Sequence, residues 1–265
     1  MDNTIQLLNK SQRQSLGDGL NWLNQSWHLL KTRFGKWLLV GTIFLLLNIA
    51  VSWILGFLAQ LSGVSWIFDL IDSVFDTFMV AGLILAIASH AENGDFEIAD
   101  MFSGFQLPVQ KMIVVALIMH LPILLANLFA IEQLPLSIKW LLHLLSYVMW
   151  FMLPLVALHG LEPLSALKMS ISGSLKNILP ALGFVILMSF VFGGFMLGLV
   201  FILMLLLGTN GITMNSINPL ATEQSATASL LMILIFYFPF LLMMLFVLMS
   251  VYFSYRNIWT NSPLK

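Results

Sequence analysis

The chain has 265 residues, 60% hydrophobic and 9% charged, with a mean hydropathy of +0.97 and a formal net charge of -1. Soluble domains carry about 25% charged residues, so an ordinary water-facing exterior is excluded and lipid is the solvent this surface needs. The near-neutral charge excludes the clustered basic face required by nucleic acid, and the lack of cysteine removes disulfides, thiolate metal sites and a cysteine nucleophile.

The expected architecture is all-α: a polytopic membrane bundle of six transmembrane helices with amphipathic interfacial helices on the cytoplasmic side. Residues 1–36 read as a cytoplasmic segment. Within it Leu16, Leu20, Leu23, Trp27, Leu30 and Phe34 recur at helical spacing on one stripe, with Asn24, His28 and Lys31 opposite. Ser11 to Gln14 has the form of a capping box. The first apolar run, 37–61, is too long for a signal-peptide core and reads as a retained span.

The second span, 66–88, contains Asp69, Asp72 and Asp76, each costing roughly 2.5 to 3.5 kcal/mol at a bilayer centre. A shorter span over 74–90 would leave two of them at the interface, and loop charge requires a crossing here in either form. Next come a short stripe of Ile98, Met101, Phe102 and Phe105 with Asp95 as its expected N-cap, and spans at 111–131 and 138–159. His159 and Glu162 share a spacing that suits one helix face, but Gly160 and Pro163 interrupt it, so the segment reads as a turn and not as a metal site. Pro163 then opens a helix with Leu164, Leu167, Ile171 and Leu175 on one side and Ser165, Lys168, Ser172 and Lys176 towards water.

The fifth span, 178–207, exceeds what a bilayer requires and is expected to tilt, project or break near Gly193 and Gly194; Gly194 and Gly198 form a GxxxG pair suited to close packing. Residues 208–228 read as a periplasmic loop, 229–253 as the sixth span, and 258–265 as a cytoplasmic tail that follows a membrane domain of 37–257. Each amphipathic stretch leads through Lys36, Lys111 or Lys176 into an odd-numbered span. That suggests three units of interfacial helix, span out and span back, at about 13–90, 94–160 and 161–257.

Several segments together resemble an uncharacterised family of proteobacterial multi-pass inner-membrane proteins, similar in layout to the membrane domain carried by some glycerophosphodiester phosphodiesterases. The segments are Gly19-Leu-Asn-Trp22 through Trp27-His-Leu-Leu30, Asp100-Met-Phe-Ser-Gly-Phe105, Pro154 to Pro163 with Ala166-Leu-Lys-Met-Ser170, and Tyr252-Phe-Ser-Tyr-Arg-Asn257. The resemblance implies a bacterial inner-membrane location. It brings no catalytic or cofactor-binding residues, because the family has no settled activity and the phosphodiesterase barrel is absent.

Candidate chemistry concentrates in one place. Asp69, Asp72 and Asp76 share a helix face that descends about 10 Å. Asp76 is expected near mid-membrane at the depth of His120, with His143 and Asn127 nearer the outer face. Such a track suits proton relay or a cationic solute. No HExxH, GxSxG, P-loop or dinucleotide fingerprint occurs, so no enzyme, metal or cofactor is expected. The leading expectation is a non-enzymatic membrane component that organises envelope proteins or lipids, with the bilayer and a membrane or cytoplasmic protein as partners. The alternatives are a small transporter or channel using the Asp/His track and, behind it, an intramembrane enzyme.

With the N terminus inside, ten of the eleven Lys and Arg residues lie inside and only Lys139 outside, as the positive-inside rule demands. Reporter fusions after Lys265 and within 209–222 are therefore expected to report opposite compartments; the same compartment for both would defeat six spans.

Overall fold

A computed structural model describes residues 5–128, 148–209 and 223–261, with side chains described for 5–121, 148–201 and 236–261. Every element among them is helical: α1 (Asp18–Thr32), α2 (Phe34–Ser62), α3 (Ser65–Asn93), a 3-10 helix (Ile98–Gln106), α4 (Val109–Leu128), α5 (Met152–His159), α6 (Pro163–Lys176), α7 (Ile178–Thr209) and α8 (Glu223–Trp259). Leu7 and Thr260 form one isolated antiparallel bridge.

Four stretches are long and apolar enough to cross a membrane: Phe34–Ser62, Ser65–Asn93, Ile178–Phe201 and Phe236–Trp259. The 3-10 helix with the start of α4, bent by 96°, makes up to five. Helix α3 covers both forms of the second expected span, 66–88 and 74–90, and carries all three aspartates. Of the expected spans at 111–131 and 138–159, residues 129–147 lie outside the described residues.

The helices fall into three sets, distinguished by burial. Half of the α3 window and 44% of the α8 window are buried, against 17% for α2 and 11% for α7, and Met152 to Ala157 of α5 are all buried. Thus α3, α5 and α8 touch one another at the centre, while α2, α4 and α7 lie outside them. The short helices form a collar at the end where α3 and α5 terminate. Each packs on the inner helix that precedes it in cyclic order: the 3-10 helix on α3, α6 on α5, and α1 on α8.

The collar helices dock through small residues. A Cβ on Gly82 of α3 would strike the Met101 carbonyl, and one on Gly104 would strike that of Phe78, so these two backbones cross in direct contact. A Cβ on Gly19 would likewise strike the Pro180 carbonyl of α7. Ser26 bonds Ser250 of α8 at 2.9 Å, and Ser170 of α6 accepts the Phe151 N–H at 3.0 Å and donates to the Val148 carbonyl at 2.7 Å, ordering the start of α5. Other large apolar residues on or just before the same helices face outward: Leu16, Leu20, Trp27, Phe102, Phe105, Leu164 and Leu175 are all exposed, whereas Trp22, Leu29, Leu30 and Met101 are buried.

Three lysines repeat one arrangement around this ring. Each stands one residue before a fully buried side chain: Trp37, Met112 and Asn177. Lys36 donates to Asp95 at 2.8 Å and to the Phe96 carbonyl after α3. Lys111 donates to the Gly160 carbonyl after α5 at 2.7 Å and pairs with Glu162 at 2.8 Å. Lys176 donates to the carbonyl of Ser11, in the segment that pairs with the end of α8. Left-handed glycines Gly94 (φ 78) and Gly160 (φ 64) close α3 and α5 just before the first two clamps. The three lysines thus make comparable contacts among the described residues, while the expected spans of the second unit lie partly outside them.

Several local expectations are corrected. Ser11 to Gln14 caps no helix: α1 starts at Asp18, whose carboxylate accepts the Ser15 N–H and hydroxyl at 2.6 and 2.7 Å. Asp95 does not cap the 3-10 helix, because Lys36 and Arg33 engage it; Glu97 caps instead, in a reciprocal box with Asp100. Helix α7 runs unbroken past Gly193 and Gly194, and a Cβ on Gly194 or Gly198 would meet nothing among the described residues, so no packing contact uses the GxxxG pair there. The last helix continues to Trp259, with Ile258, Trp259 and Thr260 buried, two residues past the expected end of the membrane domain.

Because the α3 crossing has no room for a methyl, Gly82→Ala is expected to destabilise the protein by about 3 kcal/mol or more. Gly193→Ala, in open helix, should be neutral or stabilising by up to about 1 kcal/mol. Thermal unfolding in detergent measures both, and similar Tm values for the two variants would contradict the crossing.

Candidate functional site

Helices α2 and α3 form a hairpin turned at Gly63 and Val64. The half of α3 nearest that turn is where its aspartates stand, and from Thr77 onward one face of the helix is buried against the bundle. In the region before Thr77 the helices enclose a cleft of about 540 Å³. Its walls are Phe44, Leu45, Asn48 and Ser52 of α2, Asp69, Asp72, Ser73 and Asp76 of α3, His120 of α4, and Phe240 and Met244 of α8. The cavity reaches Asp76, the deepest of the three carboxylates along α3.

The polar groups here are held in specific ways. Ser52 donates to both oxygens of Asp72 at 2.9 Å, tying the two arms of the hairpin. Asn48 donates to the Phe44 carbonyl of its own helix at 3.0 Å. His120 Nδ1 lies 3.0 Å from the Ala116 carbonyl; since a carbonyl only accepts, Nδ1 carries the hydrogen, and Nε2 is the nitrogen left for a proton or ligand. The ion pairs of the described residues join Arg33 and Lys36 to Asp95, Lys111 to Glu162 and Arg256 to Glu92. Among the described residues no Lys or Arg forms an ion pair with Asp69, Asp72 or Asp76, and His120 is the basic residue of the lining. No group of His, Asp or Glu among the described residues is spaced to hold a metal ion.

Four of the six candidate residues, Asp69, Asp72, Asp76 and His120, are thus brought to one cavity. His143 lies outside the described residues, as does the side chain of Asn127, so the outer part of the expected track has no structural description.

Sequence reasoning missed a second polar group where the three inner helices converge. Arg256, 4% exposed, pairs with Glu92 at 2.7 Å and donates to the Tyr252 hydroxyl at 3.0 Å, while Tyr252 donates to Glu92 at 2.9 Å. His159 bonds Tyr255, so α3, α5 and α8 are joined by side chains from each. The signal was legible as Tyr252, Tyr255 and Arg256 at spacings of 3 and 1, one polar face at the end of an apolar run. His159 and Glu162 belong to different elements, as expected of a turn: His159 ends α5, and Glu162 stands at the N-cap position of α6 with its carboxylate on Lys111.

A third group locks α1, α2 and α3 together. Trp37 can only donate, so His90 Nδ1 accepts its N–H at 2.9 Å, and His90 Nε2–H donates to Thr32 at 3.1 Å. Thr32 in turn donates to the Leu29 carbonyl at 2.7 Å. This chain is fully satisfied and binds a neutral imidazole in a single tautomer, which makes it structural. Phe96 stacks on Trp37 at 4.2 Å beneath Lys36. Neither family models, nor curated proteins, nor solved structures match the chain, so the chemistry of the cleft rests on its own geometry.

The hydrogen bond from Lys36 to Asp95, with help from the Phe96 N–H, holds the Asp95 carboxyl below the usual carboxylate range. A depressed carboxyl contributes stability above its unfolded value of about 3.9 and loses it as pH falls through the folded value. Asp95→Asn should therefore lower Tm at pH 7, and the gap to the parent should close below about pH 3.9. Thermal melts across that range check it; a gap independent of pH would contradict the clamp.

Proposed function

We propose that this chain is a bacterial inner-membrane protein with six spans and both ends in the cytoplasm, which binds a cationic solute in the carboxylate cleft and carries it across the bilayer. The observation behind this reading is the cavity itself: Asp69, Asp72 and Asp76 with His120, Asn48, Ser52 and Ser73 on one surface, with no cation of the described chain to balance them. Carboxylates at membrane depth need water or a counter-charge, and a cavity of about 540 Å³ falls within the range of small-molecule sites. The absence of a metal-spaced group among the described residues favours an organic cation or protons over a metal ion. The split of basic residues supports the orientation, and the motif resemblance agrees with the inner-membrane placement.

A second reading is a component that organises envelope proteins or lipids. The outward apolar faces of the collar helices favour it, because Leu16, Leu20 and Trp27 beside Lys31 suit a headgroup layer. On that reading the aspartates are structural and the cleft stays without a ligand.

Uptake of tetraethylammonium into proteoliposomes, with and without a pH gradient, separates the two. The transport reading expects gradient-dependent uptake, lost by at least tenfold in Asp76→Asn while insertion and abundance stay unchanged. The organising reading expects no uptake by the parent and full tolerance of Asp76→Asn.

A further inference from the structure

Around the collar, the chain runs continuously through two of the three junctions between an inner helix and the next collar helix: at Gly94 to Glu97 after α3, and at Gly160 to Glu162 after α5. Among the described residues, the third junction, from α8 to α1, has no such continuous connection. There residues 6–14, which precede α1, lie across the ends of α6 and α8. Leu8 and Gln12 donate their N–H groups to Trp259 and Ile258 carbonyls, both at 2.9 Å, and Asn261 donates to the Gln6 carbonyl at 3.2 Å. Asn177 accepts the Gln14 N–H at 2.7 Å and donates to the Gln12 carbonyl at 3.0 Å, while the Gln14 side chain donates to the Asn257 carbonyl at 2.7 Å.

The third clamp is also the weakest of the set. Among the described residues Lys36 and Lys111 each combine a carbonyl with a carboxylate, whereas Lys176 has the Ser11 carbonyl, and no ion pair crosses this seam. A junction without a covalent link or an ion pair requires only neutral and single-charge hydrogen bonds to open. It lies at the end of α8, the helix whose Phe240 and Met244 wall the cleft. From Met244 to Ile258 is about 21 Å of helix at 1.5 Å per residue, stiff enough to transmit a shift at one end to the other.

We propose that the strap of residues 6–14 is a releasable latch: its detachment uncovers the last turn of α8 and lets that helix pivot, about the Arg256–Glu92 pair that still ties it to α3, at the cleft. The functional meaning of the latch rests on the cleft reading above; the latch itself does not.

Because the chain has no cysteine, Leu7→Cys with Thr260→Cys provides a clean staple. The two positions are directly opposed in an antiparallel bridge, where Cα separations of about 4.5 to 5.5 Å fit a disulfide. Amide hydrogen exchange is then followed in the reduced and oxidised forms. In the reduced form, the amides of Leu8, Gln12 and Gln14 should exchange at least tenfold faster than those of Gly94 and Gly160, which close the covalent junctions. Oxidation should slow exchange in the strap and in 240–250 together. Gln14→Ala, in the otherwise unaltered chain, should speed both. A strap as protected as Gly94 and Gly160, or a staple that leaves 240–250 unchanged, overturns the latch. Tetraethylammonium uptake by the same protein should stop on oxidation and return on reduction. If exchange behaves as expected while neither form takes up the cation, the latch stands and the transport reading fails.

Discussion

Inner helices that end inside an apolar bundle leave carbonyls without partners, and in lipid each such group costs several kcal/mol. The collar exists to satisfy that constraint. Lys36 and Lys111 place an ammonium on a carbonyl at or just beyond the ends of α3 and α5, where cations are also favoured by the helix dipole. The Arg256 guanidinium does the same work between helices, meeting Glu92 at the end of α3. Once those ends are closed, the short helices can lie across them, and their glycines and serines let backbones approach closely enough to exclude lipid. Gly82 against Gly104 is the tightest instance, and the small-residue packing is of the kind that joins helices where no hydrophobic drive distinguishes side chain from lipid.

The two halves of the bundle serve different ends as a result. The collar end is cross-linked by ion pairs, by the Trp37–His90–Thr32 chain and by the Arg256 group. The other half of α2 and α3 is far less buried, and there the hairpin is held across the cleft by Ser52 on Asp72. A rigid end and a loosely packed end in one bundle is the arrangement that lets a wall such as α8 pivot without unravelling, because local stability follows the density of buried contacts.

How much of this was legible follows from what period and charge encode. The long apolar runs gave α2, α3, α7 and α8 directly, since length and hydropathy alone decide whether a helix can cross lipid. The lysines before the outer helices pointed to the threefold layout, and the aspartate spacing of 3 and 4 put the carboxylates on one cleft wall. The docking faces were not legible. In α1 the leucine stripe drew attention, yet the buried face is Gly19, Trp22, Ser26, Leu29 and Leu30, turned by less than a right angle from it. A hydrophobic period marks which residues avoid water, and in a membrane both lipid and protein meet that need, so the pattern cannot choose between them. Asp95 was misassigned for a related reason: its position favoured a cap, but Lys36 comes from 59 residues away, and such pairing has no local signature.

The threefold arrangement also explains why the cleft sits where it does. If the three units differed only by drift, their inner helices would be equally apolar, because apolar residues carry no cost in this environment. The last inner helix conforms: 229–251 holds no charged residue. The first does not, since Asp69, Asp72 and Asp76 occupy three levels of one face, each opposed by the solvation cost of its carboxylate. Of the three, Asp72 has a side-chain hydrogen bond among the described residues, from Ser52. The departure from the repeat therefore coincides with the cleft, whose walls carry the three carboxylates together with His120.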